Sequence, residues 1–282
     1  MVNFSGVDLT GKTAIVTGAS RGIGASIATQ LGQRGANVVV NFMSEGSRER
    51  AESVAKSIKE NGSNAVTCQA NITNLGEIPK LISSALNLSQ SGKIDLLIHK
   101  LVPFFTSLFC VLSPNFATSI LSAALGVDAN LDEVTEDLYL SHFDTNVKGP
   151  IFLTQALLPY FPRGGRIVFV SSAAARLGVA GQTVYGATKA ANESLVRVWA
   201  KELGQSHGIT VNCVNPGPVA TDQWNESDEQ FREDMRPLIE STPAAARIAE
   251  PSDIAPLVAF LCSADAAWST GGTLCANGGL YN

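Results

Sequence analysis

The stretch from Thr13 to Gln30, TAIVTGASRGIGASIATQ, constrains this chain more than any other. A short apolar run, Thr13 to Val16, reads as a buried strand. It breaks into a Gly-rich turn, and Ile23 to Leu31 then shows helical apolar spacing. Gly18, Gly22 and Gly24 permit positive φ and put no Cβ in the way of a group that must approach the backbone closely. The helix that opens here offers unpaired N–H groups and the positive end of its dipole, which together make an anion site. Such a turn often serves only to reverse the chain. Between a strand and a helix near the start of the chain, however, it stands in the context that binding of a dinucleotide diphosphate requires. Gly18, Ser20, Arg21, Gly22, Ile23 and Gly24 are therefore candidate binding residues.

Further along, βα units repeat. Strands are predicted at Asn37 to Phe42, Ala65 to Ala70, Ile94 to His99, Gly165 to Ser171, Ile209 to Asn215 and Thr273 to Ala276. Helices are predicted at Ser47 to Asn61 (with Gly62 as its terminator), from Asn71 to about Leu88, within Leu131 to Tyr160, at Gln182 to Gln205 and at Ser252 to Cys262. Strands spaced by helices of this length imply parallel pairing through right-handed crossovers, with helices on both faces. Ligands then bind beyond the carboxyl ends of the strands, where the turn after Val16 lies. At 282 residues and 45% apolar content, the chain suits a single α/β domain with an ample core.

The net charge of -5 argues against a nucleic-acid partner, which needs clustered Lys and Arg. The five cysteines, Cys68, Cys110, Cys213, Cys262 and Cys275, show no metal-ligand spacing and read as reduced core residues of an intracellular, cytoplasmic protein. No signal peptide is evident in MVNFSGVDLTGK.

The end of the second strand chooses between dinucleotides. An acidic residue there would bond the adenosine ribose hydroxyls, as in NAD sites. This strand instead ends Asn41-Phe42-Met43-Ser44, with no carboxylate. Arg21, Ser44 and Arg48 offer two guanidinium groups and a hydroxyl, suited to a 2′-phosphate and hence to NADP(H). The alternative is that both arginines are solvated surface charges.

Tyr185 and Lys189, in YGATK, fall one turn apart on a predicted helix. A tyrosine near its ordinary pKa of about 10 is a poor base at neutral pH. A neighbouring ammonium favours the phenolate, so the phenol can protonate a developing alkoxide or take the proton back. Ser172, at the end of the fifth strand, could hold a carbonyl oxygen. Alone, Tyr-x-x-x-Lys is common by chance; after Ser171-Ser172 and downstream of the Gly-rich turn, it gains meaning.

With these residues in place the chain resembles a short-chain dehydrogenase/reductase, from Lys12 to Gly279. The resemblance rests on TGASRGIG (Thr17 to Gly24), NVKG (Asn146 to Gly149), Ser172, YGATK (Tyr185 to Lys189), NPGPVAT (Asn215 to Thr221) and TGGTLCANGG (Thr270 to Gly279). It looks closest to fungal ketoreductases and 3-oxoacyl reductases. The resemblance implies a single Rossmann-type, doubly wound parallel sheet of about seven strands spanning 1–282. It implies Asn146, Ser172, Tyr185 and Lys189 as a catalytic tetrad, with Asn146 anchoring a water that relays protons to Lys189. Lys189 would also hold the nicotinamide ribose, Ile23 would back the cofactor, and Asn71 would contact the adenine in place of a more usual Asp. Pro216, Val219 and Thr221 would hold the nicotinamide carboxamide and diphosphate. Family members commonly assemble as dimers or tetramers through the two long central helices.

One stretch departs from the pattern. After the fourth strand the family continues Asn-Asn-Ala-Gly; here His99-Lys100 leads into the apolar-rich run Leu101 to Val127. Pro103, Ser107, Pro114, Asn115 and Ser119 make it a poor membrane span, and as a surface loop it would expose Phe104, Phe105, Leu108 and Phe109. We read it as a translated intron. Excision from the last base of the Lys100 codon through the AG of Ser122 leaves an Asn codon and restores IDLLIHNAALG. A lid or docking loop is the competing reading. A second variable segment, Asp222 to Ala246, is charged and helix-prone. Trp224, Phe231, Met235 and Leu238 could face a substrate as an apolar lid, although an amphipathic surface helix would look the same. Leu177, Val179 and Gln182 could line the pocket. The expected activity is reduction of a small-molecule ketone, hydrophobic or polyketide-like, with oxidation of the alcohol, or nucleotide binding by a catalytically impaired chain, as the alternatives.

Overall fold

A computed structural model describes residues 7–100, 129–227 and 229–281. The apolar-rich run Leu101 to Val127, with Cys110 and all of the expected insertion (100–122) except Lys100, lies outside the described residues. Seven strands form one sheet: β1 (Thr13–Val16), β2 (Asn37–Phe42), β3 (Ala65–Gln69), β4 (Leu96–His99), β5 (Arg166–Val170), β6 (Thr210–Pro216) and β7 (Thr273–Ala276). Their order is β3-β2-β1-β4-β5-β6-β7, with every pairing parallel. The order reverses between β1 and β4, so the ends of these strands form the crevice where such sheets take their ligands.

The central strands are buried on both faces, and successive residues serve opposite sides. Ala14, Val16, Val38, Val40, Leu96 and Ile98 join one apolar cluster, while Ile15, Val39 and Leu97 join the other. This is why the sequence shows continuous apolar runs where a half-exposed strand would alternate. The first cluster is covered by α1 (Gly22–Gln33), α2 (Arg48–Glu60) and α10 (Pro251–Leu261). The second is covered by α3 (Ile78–Leu88), α5 (Gly149–Leu157) and α7 (Thr183–His207). Gly62, at φ +88°, ends α2 as expected.

The helix expected within Leu131–Tyr160 is interrupted. A helix α4 (Glu136–Phe143) passes through a wide π turn at Asp144–Lys148 into α5. Pro150, the second residue of α5, has no N–H to give to the carbonyl of Asn146 four residues earlier, which favours a local break. Three short or variable helices complete the described chain: α6 (Ala174–Leu177), α8 (Asp222–Asn225) and α9 (Glu229–Glu240). The last two lie in the helix-prone segment after β6. One cysteine expectation is corrected: Cys68, Cys213 and Cys262 are buried, but Cys275 is exposed because it lies on β7, the edge strand of the sheet. Among the described residues, no helix is long and apolar enough to cross a membrane, and no cluster of His, Cys, Asp and Glu could hold a metal ion.

Candidate active site

Past the end of β5, the chain turns over the sheet's carboxyl edge through Ser171 and Ser172 into α6, and Ala174 N–H donates to Ser172 Oγ at 3.2 Å. The long helix α7 runs alongside and presents Tyr185 and Lys189 one turn apart. Lys189 Nζ lies 5.5 Å from the centre of the Tyr185 ring and donates to the Val170 carbonyl at 3.1 Å. Lys189 is buried, and that burial, with the nearby Lys100 ammonium, brings its pKa down to about 7. Asn146 sits inside the π turn, buried. Its amide donates to Thr188 Oγ1 at 3.0 Å, and Thr188 in turn donates to the Tyr185 carbonyl at 2.8 Å. Asn146 Oδ1 meets no hydrogen-bond partner among the described residues. The His142 ring stands edge-on to that of Tyr185, with centres 6.1 Å apart.

Ser172 and Tyr185 open onto one cavity of about 240 Å³. Ile23, Pro216, Val219 and Thr221 form its floor toward the Gly-rich turn, and Leu177, Val179 and Gln182 also line it. Trp224, Phe231 and Met235 of the variable segment line it too; Leu238 is not among the lining residues.

The Gly-rich turn has the shape its sequence implies. A Cβ on Gly24 would lie 2.2 Å from the Gly18 carbonyl oxygen, one on Gly18 2.3 Å from the Lys100 carbonyl oxygen, and one on Gly22 3.0 Å from Thr221 Cγ2. Backbone oxygens leave no room for a side chain at Gly18 and Gly24, and Gly18 and Gly22 hold positive φ, which favours glycine. Arg21 stands at the N-cap of α1 with no side-chain cap, so the first N–H groups of the helix remain available. This cradle fits a diphosphate.

The outer groups are already engaged. Arg21 pairs with Asp222 (3.6 Å), which also meets Arg50 at 3.2 Å. Arg48 contacts Glu45 and Gln69 and lies over the Phe42 ring, while Ser44 Oγ is 3.4 Å from Ser47 Oγ. Asn71 accepts from the N–H and hydroxyl of Thr73, both at 3.0 Å. Ser20, Arg21, Ser44, Arg48 and Asn71 do not line the cavity; they lie away from Ser172 and Tyr185, an arrangement an extended dinucleotide can span.

Matches to known proteins agree with this geometry. The short chain dehydrogenase family matches residues 12–101, and the family described as Enoyl-(Acyl carrier protein) reductase matches residues 115–281. The chain belongs to the short-chain dehydrogenase/reductase family. It is 38% identical over 275 residues to the short-chain dehydrogenase/reductase FrzI of a Cladobotryum species, covering 96% of each chain. It is 36% identical over 272 residues to the 3-oxoacyl-[acyl-carrier-protein] reductase FabG of Staphylococcus aureus, covering 96% of this chain and 98% of the relative. Among solved structures, the angucycline C-6 ketoreductase LanV with bound NADP matches with TM-score 0.82 at 33% identity, over 98% of this chain and 97% of that one.

Three charged groups at this short-chain dehydrogenase/reductase site were not foreseen as contacts. Lys100 packs its backbone against Gly18 and accepts no role in the family pattern; burial, with Arg21 beside it, lowers its pKa to about 8. Asp222, the first residue of the variable segment, meets the Gly-turn arginine. Glu193 has a signal in the sequence, since Tyr185, Lys189 and Glu193 are spaced i, i+4, i+8, which puts all three along one face of the helix.

Proposed function

We propose that this oxidoreductase is an NADPH-dependent carbonyl reductase that delivers a proton to a ketone oxygen from Tyr185. The observation that carries this reading is the convergence of the Ser172 and Tyr185 side chains on one cavity, with Lys189 behind Tyr185 and Ile23 of the Gly-rich turn lining the same cavity. When bound, NADPH supplies the hydride that adds to the carbonyl carbon. Ser172 holds the carbonyl oxygen by a hydrogen bond, and as the carbon–oxygen π pair moves onto that oxygen, Tyr185 gives up its proton to it. The Lys189 ammonium stabilises the phenolate left behind. Asn146, with its side-chain oxygen buried and available, anchors a water through which Lys189 and Tyr185 regain protons.

The turn N–H groups at Gly18, Ser20, Gly22 and Gly24 hold the diphosphate. Ile23 backs the cofactor, Pro216, Val219 and Thr221 seat the nicotinamide end, and Asn71 meets the adenine. Arg21, Ser44 and Arg48 serve the 2′-phosphate, a reading supported by the absence of a carboxylate from Asn41–Ser44 at the end of β2 and by NADP in the LanV relative. Arg21→Gln is expected to weaken NADPH binding about tenfold and leave NADH binding unchanged, the loss of one charge-assisted bond; titration of nicotinamide fluorescence checks it.

The apolar walls made by Leu177, Val179, Trp224, Phe231 and Met235 favour a hydrophobic, polyketide-like ketone over a sugar, within secondary metabolism. Tyr139, Leu140 and Phe152 on α4 and α5, with Val198 on α7, are large exposed apolar side chains that support association of subunits through these helices. The test of the activity is NADPH oxidation dependent on added ketones, aromatic and aliphatic. Turnover only with alcohols and NADP would instead establish the oxidative direction. NADPH binding without turnover in either direction would establish the impaired reading, which the Lys100 cation beside Lys189 favours.

A further inference from the structure

Glu193 is a carboxylate with 5% exposure in a region where burial of a lone charge is costly. Its surroundings show how it is satisfied. Oε1 accepts from Asn215 Nδ2 at 2.5 Å and lies 3.5 Å from Ser171 Oγ, and Oε2 accepts from Arg176 Nε at 3.0 Å. The partners come from two stretches outside α7. Ser171 immediately precedes Ser172, and Arg176 lies on α6, four residues past it. Asn215 is the residue before Pro216, where β6 gives way to the turn that lines the cavity floor. Glu193 itself is one helical turn beyond Lys189 and two beyond Tyr185.

These two stretches and α7 are joined by further ties that need this alignment. Ser171 Oγ donates to the Lys189 carbonyl at 3.1 Å, and Ala173 N–H donates to the Pro216 carbonyl at 2.8 Å. A charge-assisted, buried hub of this kind is stronger than neutral hydrogen bonds and admits few alternative arrangements.

We propose that Glu193 is a positioning residue: its carboxylate clamps the Ser172 segment and the Asn215–Gly217 turn onto the helix that carries Tyr185 and Lys189. It touches neither substrate nor cofactor. It fixes the separation between the group that holds the carbonyl oxygen and the group that protonates it, a separation in which an error of about 1 Å can cost up to 100-fold in rate. The inference rests on the reductase reading above for its kinetic consequence, but the clamp itself belongs to the folded chain.

Glu193→Gln, Glu193→Ala and Arg176→Ala, made in the full chain, separate these levels. Hydrogen exchange of the protein without ligands reads the clamp. Glu193→Ala is expected to speed exchange at Ala173–Leu177 and at Gly217–Val219 while β1 and β2 stay protected. Ketone reduction reads its consequence: about a tenfold lower kcat, KM for NADPH within twofold of the parent, and a larger kinetic isotope effect with deuterated NADPH. Glu193→Gln, which keeps an acceptor for Asn215, is expected to recover part of that loss, and the exposed Arg176→Ala to fold normally and lose a smaller part. Unchanged exchange in Glu193→Ala overturns the proposal, as does a kcat within twofold of the parent or a loss of NADPH binding that matches the loss of rate. A parent chain that reduces no ketone overturns the reductase reading instead, and exchange still decides the clamp.

Discussion

Tyr185→Phe is expected to lower ketone reduction by about 1,000-fold while NADPH binds as tightly as in the parent. The substitution removes one oxygen atom and leaves the ring, so the packing against His142 and the placement of α7 are retained. What disappears is a hydroxyl on the cavity wall with an ammonium behind it, Lys189 Nζ being 5.5 Å from the ring centre. General acid catalysis by a positioned side chain is worth about 100- to 10,000-fold, and the loss of the whole proton donor falls within that range. The proposed diphosphate cradle, Gly18–Gly24, contains no part of Tyr185, so fluorescence titration with NADPH is expected to give an unchanged Kd. Full activity in Tyr185→Phe would remove the acid assignment. A loss of NADPH affinity in step with rate would show the hydroxyl to be a binding group and not a proton donor. Ser172→Ala offers a contrast: it removes a hydrogen bond to the carbonyl oxygen but leaves the acid, and a smaller loss is expected.

Most of the architecture could be read from the chain because the features that determine it are local. Three strands, β1, β2 and β7, lie where the apolar runs put them, residue for residue. The glycine cradle was readable because each glycine answers a steric demand that the structure makes explicit, a carbonyl oxygen within 2.3 Å of where a Cβ would be at Gly18 and Gly24. The pairing of Tyr185 with Lys189 follows from helical periodicity alone. What the sequence concealed is set by tertiary encounter. The π turn at Asp144–Lys148 has a local trigger in Pro150, but helical spacing continues on either side and masks it. Glu193 looks like any charged residue of a solvated helix until Arg176, Asn215 and Ser171 arrive from two other stretches. The engagement of Arg21 by Asp222 joins residues far apart in sequence, and no pattern along the chain announces it.

The chain in which Lys100 through Ser122 is replaced by a single Asn is expected to be the more active enzyme at alkaline pH. The reason is electrostatic. Burial lowers the pKa of Lys189 to about 7, and the like charge of Lys100 contributes to that fall. Lys100 is itself held down to about 8 by burial and by Arg21. Three cations thus crowd the side of the cradle where one ammonium is needed. Lys189 is charged below its pKa and supports Tyr185 there; as pH rises through about 7 the ammonium is lost, and with it the stabilisation of the phenolate. Removing Lys100 raises the Lys189 pKa, so the alkaline limb of the kcat profile moves to higher pH. Above both values, each unit regained is about tenfold more ammonium, and about tenfold more rate where proton delivery limits it. The NADPH phosphates act in the same direction when bound, so the contrast is largest in profiles taken at low cofactor concentration. One family match ends at residue 101 and the other begins at 115, a gap that lies inside the proposed intron, although the second match also takes in 115–122. Sequencing of the mature transcript tests the origin of that interval: an Asn codon joining His99 to Ala123 is expected, and a message that still encodes Leu101 to Leu121 overturns it. The pH profiles test the electrostatics independently. Superimposable alkaline limbs for the two chains would show that Lys100 exerts no hold on Lys189, whatever the transcript contains.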